Sequence, residues 1–271
     1  MELEYTLIDP TKNITLLVTT PIQRALQPQV AGYLLRREKA AEQVAFLEQA
    51  QTAGCQARLQ MMGGEFCGNA AMSLGAWLCW EQGSAVGENR TLLLEVSGAP
   101  EPVACTVTPV RTCYLGTVAM PLPERVTTVE LPVAGGTAPF PAVFFPGICH
   151  VIVPANAMKK SEAEDRLRHW AARLLSGAAG LLLWNESASS MEPLVYVQET
   201  DTAVWEQGCG SGSAAIGAWL TVRRGENQCL SVRQPGGAIA VTTLFADGKL
   251  TSLTISGTVH LGRKKRTNVV F

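Results

Sequence analysis

Two cysteines stand at the head of one short passage that the chain contains twice. Cys67-Gly-Asn-Ala-Ala-Met-Ser-Leu-Gly-Ala-Trp-Leu78 returns as Cys209-Gly-Ser-Gly-Ser-Ala-Ala-Ile-Gly-Ala-Trp-Leu220, with Cys, Gly, Gly, Ala, Trp and Leu at identical offsets. Each copy predicts a turn entering a helix of small apolar residues. The cysteine falls at or just before the first helical residue, where backbone N–H groups lack intrahelical partners. The positive end of a helix dipole favours the thiolate, so such a cysteine exchanges protons near neutral pH more readily than a free thiol. If the two copies face each other, two acid/base groups flank one anion-binding space. Facing thiolates repel, so the pair shares one proton and titrates as a unit.

Such positioning calls for two similar halves, and the hydrophobic pattern provides them. Ahead of Cys67 come strand-like runs at Tyr5 to Ile8 and Ile14 to Val18, an amphipathic helix from about Pro28 to Lys39, and a strand at Val44 to Leu47. Strands at Thr91 to Val96 and Val103 to Val107 follow. The second half repeats the order, with strands near Val126 to Leu131, Ala142 to Phe145 and Val151 to Val153, then a helix from about Ser161 to Leu175. Strands at Leu182 to Trp184 and Leu194 to Val197 precede the second cysteine helix, and Ser231 to Gln234, Ile239 to Phe245 and Leu250 to Ile255 follow it. The expected fold is α/β (α+β) with two subdomains from one duplication. The first spans 1–119 and is completed by a C-terminal strand at 262–271; the second spans 120–261, with the hinge at Met120-Pro-Leu-Pro-Glu124.

Composition fits a soluble enzyme. The 271 residues carry a net charge of −1, which gives no electrostatic bias towards nucleic acid or anionic membrane. The acidic start Met1-Glu-Leu-Glu lacks the basic residues of a secretory signal, and Pro141, Pro146 and Pro154 interrupt the apolar runs that could otherwise span a bilayer. A cytoplasmic location is expected. The basic run Arg263-Lys-Lys-Arg266 is read as a solvated terminus rather than a nucleic-acid contact. Eight cysteines without C-x-x-C or Cys/His clusters argue against both a disulfide framework and a metal site. Cys55, Cys79, Cys105, Cys113 and Cys229 read as small buried hydrophobes. No G-x-G-x-x-G between strand and helix and no Walker pattern occurs, so a nucleotide cofactor is not expected.

Glu-Phe-Cys67-Gly-Asn-Ala and Cys209-Gly-Ser-Gly resemble the two signature motifs of the cofactor-independent amino-acid racemases and epimerases typified by diaminopimelate epimerase. Asn13, Gln43, Gly147-Ile-Cys-His150, Glu199 and Gln234-Pro-Gly-Gly237 extend the resemblance over nearly the whole chain. It implies two pseudo-symmetric halves, each a curled sheet wrapped on a central helix, with the active site in the cleft between them. Thr200, Ile148 and Ala178 stand where diaminopimelate epimerases place an arginine and asparagines that grip a second amino-acid head. A closer resemblance is to the histidine racemases of opine-type metallophore pathways. They share Glu42-Gln-Val44, Glu65 to Ala70, Trp205 to Gly212 and Gln234 to Gly237.

That resemblance implies racemisation of histidine by Cys67 and Cys209, one removing the α-proton as thiolate and the other returning a proton as thiol. Backbone N–H groups of Gly68, Asn69, Gly210 and Ser211 would hold the substrate carboxylate, whose charge grows as the α-proton leaves. Asn13 and the backbone near Gln43 would hold the α-ammonium. Glu42 would accept an imidazole N–H, with Met61, Met62 and Trp205 as an apolar wall. His150 and Glu199 would tune or shuttle protons, or fix strands as a buried polar pair. Neither metal nor cofactor is implied. The partner is a small amino acid, and a homodimer is compatible with the reading. Other polar amino acids and diaminopimelate stay open as substrates. Proline-type racemases carry a histidine after Cys-Gly, where this chain has Asn69. A thiol redox sensor and a non-catalytic binding protein are the alternatives from other classes.

Overall fold

Four parallel strand pairs set the architecture, because a parallel connection needs a crossover and each α-helix of the described residues provides one. The computed structural model describes residues 1–269, so the end of the expected C-terminal strand, at 270 and 271, lies outside the described residues. By contacts the chain divides into two units. One comprises Met1–Ala119 with the segment from Ser256 onward, and the other comprises Met120–Ile255.

The first unit begins with β1 (Glu2–Pro10), β2 (Thr15–Val18), α1 (Gln27–Arg37), β3 (Gln43–Glu48) and β4 (Ala57–Met61). It continues through α2 (Gly68–Glu81), β5 (Arg90–Val96), β6 (Val103–Pro109) and β7 (Tyr114–Ala119). Helix α1 crosses between parallel β2 and β3, and α2 between parallel β4 and β5. The strand order runs β1-β2-β3-β4-β5-β6-β7-β16, where β16 is Lys249–Asn268. Its later residues pair antiparallel with β1, from Glu2↔Asn268 to Pro10↔Val259, which closes an eight-strand barrel. Helix α1 is amphipathic and buries Gln27, Val30, Ala31 and Leu34, whereas α2 is apolar all round and buries twelve residues. The recurring glycine of the cysteine passage has a packing reason here. A Cβ at Gly75 would lie 2.7 Å from Cys105 Sγ and 2.9 Å from Val107 Cγ2 of β6.

The second unit holds β8 (Arg125–Val133), β9 (Gly136–Phe145), β10 (Ile148–Pro154), α3 (Lys160–Leu174), β11 (Ala178–Asn185) and β12 (Ser190–Val197). After these come β13 (Thr202–Trp205), α4 (Gly210–Arg224), β14 (Gln228–Gln234), β15 (Gly237–Ala246) and the first part of β16. Its strands run in the order β8-β9-β10-β11-β12-β14-β15-β16, with β13 added against β12. Helix α3 crosses between parallel β10 and β11, and α4 lies between β12 and β14, which are parallel at Ser190↔Arg233. Helix α3 covers its sheet with Ala163, Leu167, Trp170, Ala171 and Leu174. In α4 the matching glycine is again tight, since a Cβ at Gly217 would lie 2.4 Å from Val241 Cγ1 of β15.

The basic run Arg263 to Arg266 is exposed to solvent, as expected, and lies in β16, which pairs with β1. Lys265 bonds Glu38 at 2.9 Å and Arg266 bonds Glu4 at 3.1 Å, so barrel closure supplies acidic neighbours to the cations. No helix of the described residues is long and apolar enough to cross a membrane.

Candidate active site

In the first unit the site begins in the β1–β2 turn. Thr11 and Lys12 both take left-handed backbone conformations (φ 58° and 63°), which ordinary side chains disfavour, and Asp9 Oδ1 steadies the turn by accepting the Lys12 N–H at 2.6 Å. The turn delivers Asn13 into a buried position. Asn13 Nδ2 donates to Glu42 Oε2 at 2.6 Å, and Asn13 Oδ1 accepts from Gln43 Nε2 at 2.9 Å and Asn69 Nδ2 at 3.0 Å. Parallel register sets Thr15 beside Gln43, and Gln43 Nε2 also donates to Thr15 Oγ1 at 2.8 Å. Cys67 caps α2 in an extended conformation; its Sγ accepts the Ala70 N–H at 3.4 Å and donates to Gln43 Oε1 at 3.4 Å. Burial raises the pKa of Glu42 above the usual carboxylate range; the Asn13 hydrogen bond works against that shift and nearby Asp9 adds to it.

The second unit builds a cap of the same form from different partners. Cys209 is buried at the N-cap of α4, and its Sγ accepts the Gly212 N–H at 3.2 Å and lies 3.5 Å from Ser211 Oγ. Gln234 pins the cap, accepting the Cys209 N–H at 2.6 Å and donating to Ser213 Oγ at 2.9 Å, while Ser213 Oγ donates to Cys209 O at 2.8 Å. His150, fully buried in β10, brings Nε2 within 2.9 Å of Ser211 Oγ. Its ring fits because Gly180 of β11 is its register partner; a Cβ there would lie 2.0 Å from His150 Nδ1. Burial pushes the Cys209 thiol up, as does Glu206, whose carboxylate acts both by charge and as hydrogen-bond acceptor. Ser211 and the Gly212 N–H pull it the other way.

Burial also holds the His150 imidazole down, to about 3. His150 is therefore neutral throughout the physiological range, and its Nδ1 has no hydrogen-bond partner among the described residues. The unfolded chain takes up a proton at this residue near the ordinary imidazole range and the folded chain does not. Its contribution to stability therefore falls as pH drops from about 6.5 towards about 3. The ring-proton NMR signals of His150 should stay flat from pH 5 to 8; a titration within that window would contradict the enclosed, neutral ring.

The structure gathers Asn13, Glu42, Gln43, Cys67 and Asn69 into one hydrogen-bonded set, and His150, Ser211 and Cys209 into another. Gly68 and Asn69, like Gly210 and Ser211, occupy the first two helical positions, which the helix ladder does not itself satisfy. Glu199 is elsewhere, exposed in the turn between β12 and β13 and separate from buried His150. The carboxylate that reaches Cys209 belongs to Glu206, inside the Trp-Glu-x-x-Cys motif but unassigned from sequence. Trp205 does not line the Cys209 set, because its indole donates to Glu164 of α3 at 3.1 Å and its ring packs on the α3 core cluster. Met61 is buried within β4, and Met62 packs on the cluster around α1.

Comparison with known proteins gives a family match and related folds. Residues 2–264 match the family described as "Histidine racemase CntK N-terminal domain". A histidine racemase of Staphylococcus aureus is 28% identical over 249 residues, spanning 89% of this chain and 88% of its own length. A Fusobacterium nucleatum histidine racemase is 27% identical over 242 residues, with 87% of each chain covered. Among solved structures, a hydroxyproline epimerase from Agrobacterium vitis has a TM-score of 0.70 at 12% identity, covering 98% of this chain and 91% of its own. A probable proline racemase from Agrobacterium radiobacter K84 has a TM-score of 0.69 at 14% identity, covering 96% and 92%. At these identities the two structures establish a common fold.

Proposed function

The chain belongs to the histidine racemase family, and from that premise we propose that it interconverts L- and D-histidine, with Cys67 and Cys209 exchanging the α-proton. It is an amino-acid racemase, an isomerase. The observation that carries the two-cysteine reading is local and occurs twice: each sulfur sits at an N-cap and accepts the backbone N–H of the third helical residue. Both thiols thus lie at the positive end of a buried helix. The reading has them act on opposite faces of one α-carbon, with first-turn N–H groups of both helices on the carboxylate.

Proton transfer in one direction proceeds as follows. One sulfur, as thiolate, takes the α-proton; the electron pair delocalises into the carboxylate; the other sulfur, as thiol, gives its proton to the opposite face. Thiol and thiolate have then exchanged places, and the reverse reaction uses them in exchanged roles. Glu206 accepts the Cys209 S–H and is the group to receive that proton when Cys209 becomes the base. Ser211, ordered by His150, donates to the resulting thiolate. This scheme uses no pyridoxal phosphate. Delivery of the D-enantiomer to metallophore assembly belongs to the same proposal.

Incubation of L-histidine in D₂O should remove the α-proton signal and yield D-histidine. Exchange on diaminopimelate with none on histidine would overturn the substrate assignment while keeping the cysteine chemistry. Glu42, raised by burial, gains from an imidazole N–H. Glu42→Ala should therefore lower kcat/KM for histidine by ~1.5–3 kcal/mol, the worth of a charged hydrogen bond. A small neutral amino acid with measurable exchange should lose less. Equal losses on both would leave Glu42 no part in reading the side chain.

A further inference from the structure

The polarity of the hydrogen bonds around Cys67 is set from one end. An ionised carboxylate only accepts, so the Asn13 NH₂ must face Glu42, as the 2.6 Å bond shows. That turns Asn13 Oδ1 inward, where it accepts from Gln43 Nε2 at 2.9 Å and Asn69 Nδ2 at 3.0 Å. The Gln43 amide is thereby oriented too, with its NH₂ spent on Asn13 and on Thr15 Oγ1 at 2.8 Å. Its carbonyl is left pointing at Cys67, 3.4 Å from the sulfur. A carbonyl oxygen offers a thiol an acceptor and offers a thiolate only lone-pair repulsion.

We propose that Gln43 is a positioning residue for Cys67: its carbonyl, aimed by an amide chain that begins at Glu42, holds Cys67 as the thiol before substrate arrives. The Ala70 N–H and the helix end pull the other way, so the carbonyl balances two groups that favour the thiolate. In the resting enzyme Cys67 is then the proton donor. The first turnover forms the new α-C–H bond with the Cys67 proton and leaves a thiolate against the carbonyl, an arrangement that favours rapid return of a proton to sulfur. The inference rests on the proposed reaction for its consequence, but its physical content, the protonation of one thiol, is measurable without any substrate.

The test is the pH dependence of iodoacetamide labelling, site-resolved by peptide mass spectrometry, on the substrate-free protein. Exposed Cys229 serves as the reference thiol. Gln43→Met keeps the side-chain length and removes the acceptor. It should lower the Cys67 labelling midpoint and raise the labelling rate at neutral pH about fivefold, equivalent to one neutral hydrogen bond of ~1 kcal/mol. The plateau rate at high pH should stay put. Glu42→Gln, which frees the Asn13 amide to turn, should move the midpoint the same way by less. An unmoved Cys67 midpoint, or a raised plateau with no midpoint shift, would overturn the proposal by showing that Gln43 only packs. If Gln43→Met does not fold, the midpoint in Glu42→Gln decides alone. Racemisation plays no part in the readout, so failure of the substrate assignment and failure of this inference are distinguishable.

Discussion

Cys67→Ser and Cys209→Ser should each lower racemisation of histidine by about 10²- to 10⁴-fold, the range for loss of a positioned acid or base. A serine hydroxyl is too weak an acid to form the needed anion near neutral pH, yet it is a good N-cap. It can accept the Ala70 or Gly212 N–H that the sulfur accepts now. Helices α2 and α4 should therefore keep their caps, and the thermal midpoint should move little while activity collapses. Chiral chromatography of product formed from each enantiomer gives the readout. Retention of activity within tenfold of wild type in both directions would remove that cysteine from the scheme.

Gly180→Ala should damage both stability and activity. The new methyl would lie 2.0 Å from His150 Nδ1 and 2.6 Å from Cε1, and the ring is fully buried. Overpacking of this kind costs about 1–3 kcal/mol, roughly 2–12 °C in Tm for a chain of this size. Displacing the ring also disturbs the 2.9 Å contact to Ser211, the residue beside the Cys209 sulfur. Turnover should therefore fall further than the loss of folded protein explains. The control is the same substitution in a His150→Ala background, where the ring is gone and the added methyl should cost much less. Equal destabilisation in both backgrounds would show that Gly180 is needed for a reason other than the histidine.

Some of this was legible in the chain and some was not, for identifiable reasons. The repeated Cys-Gly frame announces two helix starts, because a cysteine, a glycine and then small apolar residues suit an N-cap and an enclosed helix. The frame also marks Gly75 and Gly217, where strands approach too closely for a Cβ. Glu206 was hidden by β13. Its four residues alternate between exposed and half-buried, without an apolar run, yet this strand separates Glu199 in its turn from the approach to Cys209. The role of Gln43 depends on β2–β3 register and on which way an amide points, neither of which residue types reveal. A C-terminal strand was expected there, but four consecutive cations do not reveal their partners, which come from β1, the C-cap of α1 and the end of α2.

Closure of the first barrel by β16 has a consequence for the order of events during synthesis. Leaving the ribosome, the chain presents β1 through β7 early, but the strand that joins β7 to β1 arrives only after the whole second unit has emerged. Until then the first sheet has two bare edges, and the pairing of Glu2 with Asn268 spans almost the full sequence. Bare edges invite pairing with other nascent chains, and contacts this remote in sequence form late. The second unit therefore has time to fold before the first can complete its ring, and the interval between the two is when this protein is most exposed to aggregation.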